Sequence, residues 1–511
     1  MLTQTHTVCF RGIQSLPIDV QTHITGGSLP SFSIVGLPDK TISEARERIR
    51  SALFTLGLAL PPKRIIINLA PANIQKEGSH YDLPMMISLM MALDVIPHDL
   101  STYISLGELG LDGSLKPVHG ILSAALFAAS VGRSLICPAA CGGEAMWGGD
   151  LCILAPGSLL ELINHFRGTQ VLSLPIGLVN SSDSSLLDFS EIKGQETAKR
   201  VLLIAAAGGH NVLMSGPPGS GKSMMASRMM SLLPPLSAKD ALEVTMIHGM
   251  LTNGHHKGLI RRPPFRNPHH SASVAALIGG GIRSMPGEIS LAHKGILFLD
   301  ELPEFHRNAL EALRQPLESG EAVIARANYH ITYPACFQLI AAMNPCQCGY
   351  LGMLKKQCHK APACGDIYRR HLSGPLLDRI DLFVDVPEIS CASLPKENET
   401  MSSEAFRQCI AHARLYQEKR YAPCSYDLNR FAAPLFLDQE LSDPVRSLLI
   451  RAMDKWQLSM RSYYKVIRVA RTIADLGHSH HIQTEHIREA LSYRSGSLFS
   501  SDSFIQKKKN L

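Results

Sequence analysis

Apolar and polar positions along the chain follow two periods. The run Arg64-Ile-Ile-Ile-Asn-Leu69 is short and β-branched, as a strand should be, whereas Thr41 to Leu56 and Leu83 to Leu93 space their apolar residues as helices do. Further on, Asn211-Val-Leu-Met-Ser215, Gly295-Ile-Leu-Phe-Leu-Asp300 and Gln338-Leu-Ile-Ala-Ala-Met-Asn344 read as short buried strands. Met224 to Leu233, Val466 to Leu476 and Thr484 to Tyr493 read as helices. Strands interleaved with helices predict an α/β protein with a helix-rich end. Two small, polar segments, Val179-Asn-Ser-Ser-Asp-Ser-Ser185 and Pro395-Lys-Glu-Asn-Glu-Thr400, read as linkers. The expected layout is a first domain over 1–168, a linker over 169–187, a core over 188–390, a linker over 391–403 and a helical domain over 404–511. A chain of 511 residues has room for that many domains at about 150 residues each.

Composition narrows the class. With 45% hydrophobic and 18% charged residues the chain can bury several cores. Its longest apolar stretches, such as Val201 to Ala207 or Ile121 to Val131, fall short of the roughly 18 residues a membrane helix needs. The first twenty residues lack a basic start followed by a long apolar run. A cytoplasmic protein without membrane contact is expected, and no short tandem repeat suggests a solenoid or propeller. The net charge of +6 permits a nucleic-acid partner without specifying one. Lys507-Lys508-Lys509 reads as a solvated tail, or as a weak attraction for DNA.

The chemistry begins at residues 216 to 223, which read Gly216-Pro217-Pro218-Gly219-Ser220-Gly221-Lys222-Ser223 between a strand and a helix. This is the phosphate-binding G-x-x-x-x-G-K-[ST] loop in its required setting. Its glycines let the backbone wrap phosphate oxygens, Lys222 suits the β and γ phosphates, and the Ser223 hydroxyl suits Mg²⁺. Gly295 to Glu301 supplies a buried strand ending in two acids: Asp300 to complete the Mg²⁺ shell, Glu301 to orient or deprotonate water. The pair predicts hydrolysis of ATP or GTP. Asn344 ends a third strand where it can sense the γ-phosphate or position water, or act only as a turn residue. Arg379, after a Gly-Pro break, is either a cation at a subunit edge or a surface ion pair.

These residues resemble the ComM/YifB group of Mg-chelatase-like AAA+ ATPases. The resemblance rests on Phe32-Ser-Ile-Val-Gly-Leu-Pro-Asp39, Asn68-Leu-Ala-Pro-Ala72, Lys76-Glu-Gly78 and Arg262 to Ser271 (R-P-P-F-R-N-P-H-H-S). It continues through Pro286-Gly-Glu-Ile-Ser-Leu-Ala-His293, Leu299-Asp-Glu-Leu-Pro-Glu-Phe305, Met343-Asn-Pro-Cys346 and Ala470-Arg-Thr-Ile-Ala-Asp-Leu476. It implies an AAA+ core with a helical lid, working as a homo-hexamer with ATP between subunits. Asn344 then resembles the sensor-1 amide, Arg379 the arginine finger, and Arg461 the sensor-2 arginine, with Arg468 and Arg471 as rivals for that role. Residues from about Arg261 to His293 resemble the helix-2 insert of this clade. Arg261, Arg262, Arg266, His269 and His270 could face a nucleic-acid strand there, or the two histidines could simply pack within the insert. The implied activity is ATP-driven branch migration on DNA during natural transformation, gripping backbone rather than base edges.

The first block resembles the α+β fold of Lon-type proteases. In those enzymes a Lys-Asp-Gly-Pro-Ser-Ala-Gly run carries the nucleophile. The aligned run here is Lys76-Glu-Gly-Ser-His80-Tyr-Asp82, which puts His80 at the serine position, and Pro117-Val-His-Gly-Ile-Leu-Ser-Ala124 lacks the partner lysine. Ser79 is one position off and has no evident base. A platform or DNA-binding tier is expected instead of proteolysis, with Lys63, Arg64 and Lys76 as candidate contacts. Of twelve cysteines, Cys346, Cys348, Cys358 and Cys364 cluster, a set able to hold a structural zinc with His359 as substitute ligand. Unligated loop cysteines or a redox role are the other readings. Two further function classes stand beside the DNA motor: the ATPase subunit of a metal-inserting chelatase, and a nucleotide-switched binding module.

Overall fold

The computed structural model describes residues 2–26, 29–177, 188–251, 258–281, 284–325, 330–351, 361, 363–388, 402–422, 424, 427–456 and 458–494. They form two compact units, one of residues 1–182 with 237–261, the other of residues 183–236 with 262–511. The first boundary falls within the polar linker. Residues 237–261, which the sequence reading placed in the core, instead group with the first unit. The reason is packing: the helix Ala238–Gly249 buries Ala241, Val244 and Ile247, and Gly249 O accepts a hydrogen bond from Gly120 N at 3.2 Å.

The first unit is built on a seven-stranded sheet. Its order is Ser31–Val35, Arg64–Ala70, Gln14–Thr25, Leu2–Arg11, Tyr103–Ser105, Ser134–Ile136 and Ile153–Leu154. The two long strands form an antiparallel hairpin in which Arg11 faces Gln14. Its tight turn needs the positive φ of 64° that Gly12 supplies. The helix Lys40–Thr55 starts at Asp39, whose carboxylate accepts from Ile42 N at 2.8 Å, and buries Ile42, Ala45, Ile49 and Leu53. The helix Asp82–Ala92 is buried on all sides. Its only acid, Asp82, is met by Arg48 through Nε at 2.6 Å and Nη2 at 3.0 Å, so the buried charge is paired.

The second unit is layered on a five-stranded, wholly parallel sheet ordered Phe265–Arg266, Ile296–Leu299, Gln338–Met343, Val212–Ser215 and Leu382–Asp385. The three strands expected from the sequence all lie in it, buried along their length. The helix Glu196–Gly208 and the C-terminal helices Ser403–Tyr421, Asp443–Trp456, Met460–Leu476 and Thr484–Ser492 flank the sheet. Val201 and Leu202, sheet residues Val212 and Met214, and Val466, Ile467 and Ile487 belong to one continuous apolar core. None of the described helices is long and apolar enough to cross a membrane.

Candidate nucleotide-binding site

Numbered along the chain, the five strands take the spatial order 2-3-4-1-5. The first strand, Val212–Ser215, thus lies between two strands from much later in the chain. Its connection runs to Phe265–Arg266 on one side, while that of its neighbour Gln338–Met343 runs to Leu382–Asp385 on the other, which opens a crevice at the carboxyl ends of the strands, where open parallel sheets bind ligands. The phosphate loop begins at that end. Gly216 N donates to Met343 O at 3.2 Å, and Val386 N donates to Ser215 O at 2.7 Å. A Cβ on Gly216 would lie 2.1 Å from Val386 O, so no other residue fits. Gly219 and Gly221 have φ of 78° and 90°, which turns the loop back on itself. Ser220 Oγ is buried and has no partner among the described residues, as suits a loop made for an oxygen-rich ligand.

Lys222 is nearly buried. Its ammonium donates to Gly216 O at 2.7 Å, Pro217 O at 2.8 Å and Asn344 Oδ1 at 3.3 Å. All three acceptors are neutral, so the cation is held in place without a direct ion pair. Burial pulls its pKa below the usual lysine value, while Asp300 and Glu301 pull the other way. Ser223 Oγ donates to Asp300 Oδ2 at 2.6 Å. The hydroxyl and the carboxylate that the motifs assign to one Mg²⁺ therefore meet across the sheet end, and the pair suits a hard cation that prefers oxygen. Glu301 has φ of 51°, a left-handed conformation costly for a side chain with a Cβ. Backbone strain at this position follows from ending the strand abruptly: Asp300 Oδ1 accepts from Glu301 N at 2.9 Å, and a short helical turn starts at Leu302.

Four of the six proposed catalytic residues thus gather at one sheet end: Lys222, Asp300, Glu301 and Asn344. The other two, Arg379 and Arg461, meet each other elsewhere in this unit. Glu318 Oε1 accepts from Arg379 Nη2 at 2.6 Å and from Arg461 Nη2 at 2.8 Å. The rivals of Arg461 are committed to other contacts. Arg471 is fully buried, with Asp475 at 3.0 Å and Glu440 at 3.4 Å, and Arg468 donates to Ala432 O at 2.8 Å.

Two features of this unit were not legible from the sequence. His270 Nδ1 lies 3.5 Å from Glu301 Oε2, so this histidine of the expected insert points at the second acid of the Asp300-Glu301 pair. A hairpin, Glu321–Ala325 with His330–Pro334, directly precedes the Asn344 strand. The expected cationic patch is divided. Arg261 stacks over Trp147 in the first unit, and Arg266 is neutralised by Glu288 at 2.6 Å. Of the cysteine cluster, Cys346 and Cys348 bring their sulfurs within 3.2 Å and Cys364 is buried, while Cys358 and His359 lie outside the described residues. Among the described residues no three His, Cys, Asp or Glu side chains are grouped to hold a metal.

Comparison with known proteins fits this architecture. Residues 188–394 match the family model for magnesium chelatase, subunit ChlI, residues 400–494 match its C-terminal model, and residues 20–141 match a further model of that subunit. The chain thus falls in the magnesium-chelatase-like class. It is 41% identical over 492 residues to the competence protein ComM of Haemophilus influenzae, covering 95% of this chain and 96% of that one. It is 41% identical over 501 residues to the YifB protein of Escherichia coli, covering 97% of each. A magnesium-chelatase 38 kDa subunit of Rhodobacter capsulatus is 29% identical over 195 residues, which is 35% of this chain and 55% of that one. The chain belongs to the ComM/YifB group of Mg-chelatase-like proteins.

Proposed function

We propose that this protein is an ATP-driven motor that moves on branched DNA and promotes strand integration during natural transformation, working as a hexamer. The observation that carries the ATPase part is the meeting of Ser223 and Asp300 at 2.6 Å beside a lysine that donates its hydrogen bonds to neutral oxygens. In this reading residues 216–223 wrap the phosphates and Lys222 exchanges its neutral acceptors for β and γ oxygens. Ser223 and Asp300 would hold Mg²⁺, which draws charge from the phosphate oxygens when bound. Glu301 takes the proton of the attacking water, and Asn344, tied to Lys222, keeps that water in line. Arg379 and Arg461 stabilise charge on the γ-phosphate, the second from the helical lid.

The DNA part rests on full-length similarity to a protein named for competence. The first unit, likened by sequence to the Lon fold, serves as a non-proteolytic tier. In it Ser79 donates to the Glu108 carboxylate and His80 Nε2 donates to Val8 O at 3.0 Å, which leaves neither poised as a nucleophile–base pair. A zinc ion on Cys346, Cys348, Cys358 and Cys364 belongs to the same reading, and metal analysis of the purified protein giving well under one zinc per chain would remove it. The chelatase alternative is favoured by the family models alone, since the chelatase subunit aligns with only 35% of this chain. The test is ATP hydrolysis with and without forked DNA, with Lys222→Ala as control. Stimulation by the fork together with strand displacement is expected, and the absence of both refutes the motor.

A further inference from the structure

One carboxylate oxygen gathers two arginines from separate elements. Glu318 lies in the last turn of the helix Arg314–Ser319, Arg379 follows the helical turn Gly374–Leu377, and Arg461 lies in the first turn of the helix Met460–Leu476, 143 residues from Glu318 in sequence. Two guanidinium ions brought this close repel, so the shared Glu318 Oε1 is what lets them converge. The three groups together still carry one surplus positive charge, which makes the cluster receptive to an anion.

The two arginines are held differently. Arg379 is 9% exposed in its side chain and also donates to Arg314 O at 3.0 Å and Pro375 O at 2.5 Å, so it is fixed. Arg461 is 50% exposed and reaches Glu318 from the open side. Among the described residues, the polar contacts of these three side chains include none from residues 216–223. The cluster therefore does not serve the phosphate loop of its own chain through any contact seen here, and its exposed edge is free to meet a phosphate from outside.

We propose that Glu318 is a positioning residue that sets Arg379 and Arg461 side by side as a single seat for the γ-phosphate of a nucleotide bound by a second copy of this chain. This rests on the ATPase reading and adds to it the group that holds the two arginines together. Glu318 touches no reacting atom; it acts through the guanidinium pair.

The test is steady-state ATP hydrolysis by the full-length protein. Glu318→Gln keeps shape and removes charge, and should lower kcat about tenfold, as misplacing transition-state donors does, with KM for ATP changed by less than about twofold. Glu318→Asp should recover part of the loss. In an Arg461→Ala background the Glu318→Gln change should cost less than about twofold, because Arg461 is gone and Arg379 is still fixed by Arg314 O and Pro375 O. Mixing Lys222→Ala chains with Arg379→Ala/Arg461→Ala chains, each inactive alone, should restore hydrolysis at the hybrid interfaces. A Glu318→Gln protein that melts lower but keeps kcat, or that turns over faster, overturns the proposal, and so does a mixture without recovered activity. Wild-type protein that hydrolyses no ATP defeats the motor reading as well. Wild-type activity stimulated by forked DNA but indifferent to Glu318→Gln defeats only this inference.

Discussion

At the scale of single residues, charge placement decides most of what this protein can do. Glu301 is held in a left-handed conformation and approached by His270. If it activates water, Glu301→Gln should cut ATP turnover by about 100-fold or more while a fluorescent ATP analogue still binds; retained turnover would move the base elsewhere. His270→Ala should lower kcat several-fold by loosening Glu301, again with binding unchanged. The acid Glu144 gives a separate prediction about stability. Burial pushes its carboxyl up from about 4.5 to about 7, against a hydrogen bond from Leu122. The folded form therefore binds the proton more tightly, so its contribution to stability is full below about 4.5 and lost as pH rises through 7. Glu144→Gln should melt like wild type near pH 4.5 and higher at pH 8, by about 1–3 kcal/mol. Burial acts in the opposite sense on His80, whose pKa falls to about 4, so wild type loses stability as pH drops from 6.5 toward 4. The convergence of the loop with Asp300 could be anticipated from the sequence because each motif is a run of a few adjacent residues. The His270–Glu301 and Glu318 contacts could not, since only the folded chain brings those residues together.

At the scale of elements, prediction worked where a pattern was long or its ends were marked. The helices at 41–56 and 83–93 and the strands ending at Ser215, Asp300 and Asn344 appear within a residue or two of expectation. The hairpin Glu321–Ala325 with His330–Pro334 went unseen because each strand is five residues long and the chain between them has no glycine or proline. A buried ion pair ties the helix Met460–Leu476 to the sheet. Lys465 Nζ lies 2.8 Å from Asp381 Oδ1, and Asp381 Oδ2 accepts from Asn211 N at 2.9 Å. Asn211 in turn donates to Arg379 O at 2.9 Å, so the helix, the first strand and the Arg379 turn share one network. Asp381→Asn would leave Lys465 buried without its counter-ion, at a cost of about 3 kcal/mol. Adding Lys465→Met should recover much of that loss, and thermal melting of the single and double variants measures the coupling.

At the scale of the whole molecule, the modest net charge of +6 gains weight if chains assemble. Six copies would carry about +36, screened beyond roughly 10 Å at ordinary salt. Affinity for forked DNA should then fall steeply from 50 to 200 mM salt with little dependence on base sequence, measured by fluorescence anisotropy; salt-independent binding would count against backbone grip. The excursion of residues 237–261 into the first unit has a consequence for how the protein can be divided. The two units are threaded through one another in sequence, so neither exists as a single uninterrupted stretch of gene. A protease cut between residues 178 and 187 would not release an amino-terminal fragment, because the helix Ala238–Gly249 remains packed into it while belonging covalently to the other piece. The nicked protein should travel as one species through gel filtration and separate only in denaturant. For the same reason a recombinant chain starting at residue 188 would carry a bare apolar helix and aggregate, and the pair of units is inherited, expressed and lost together.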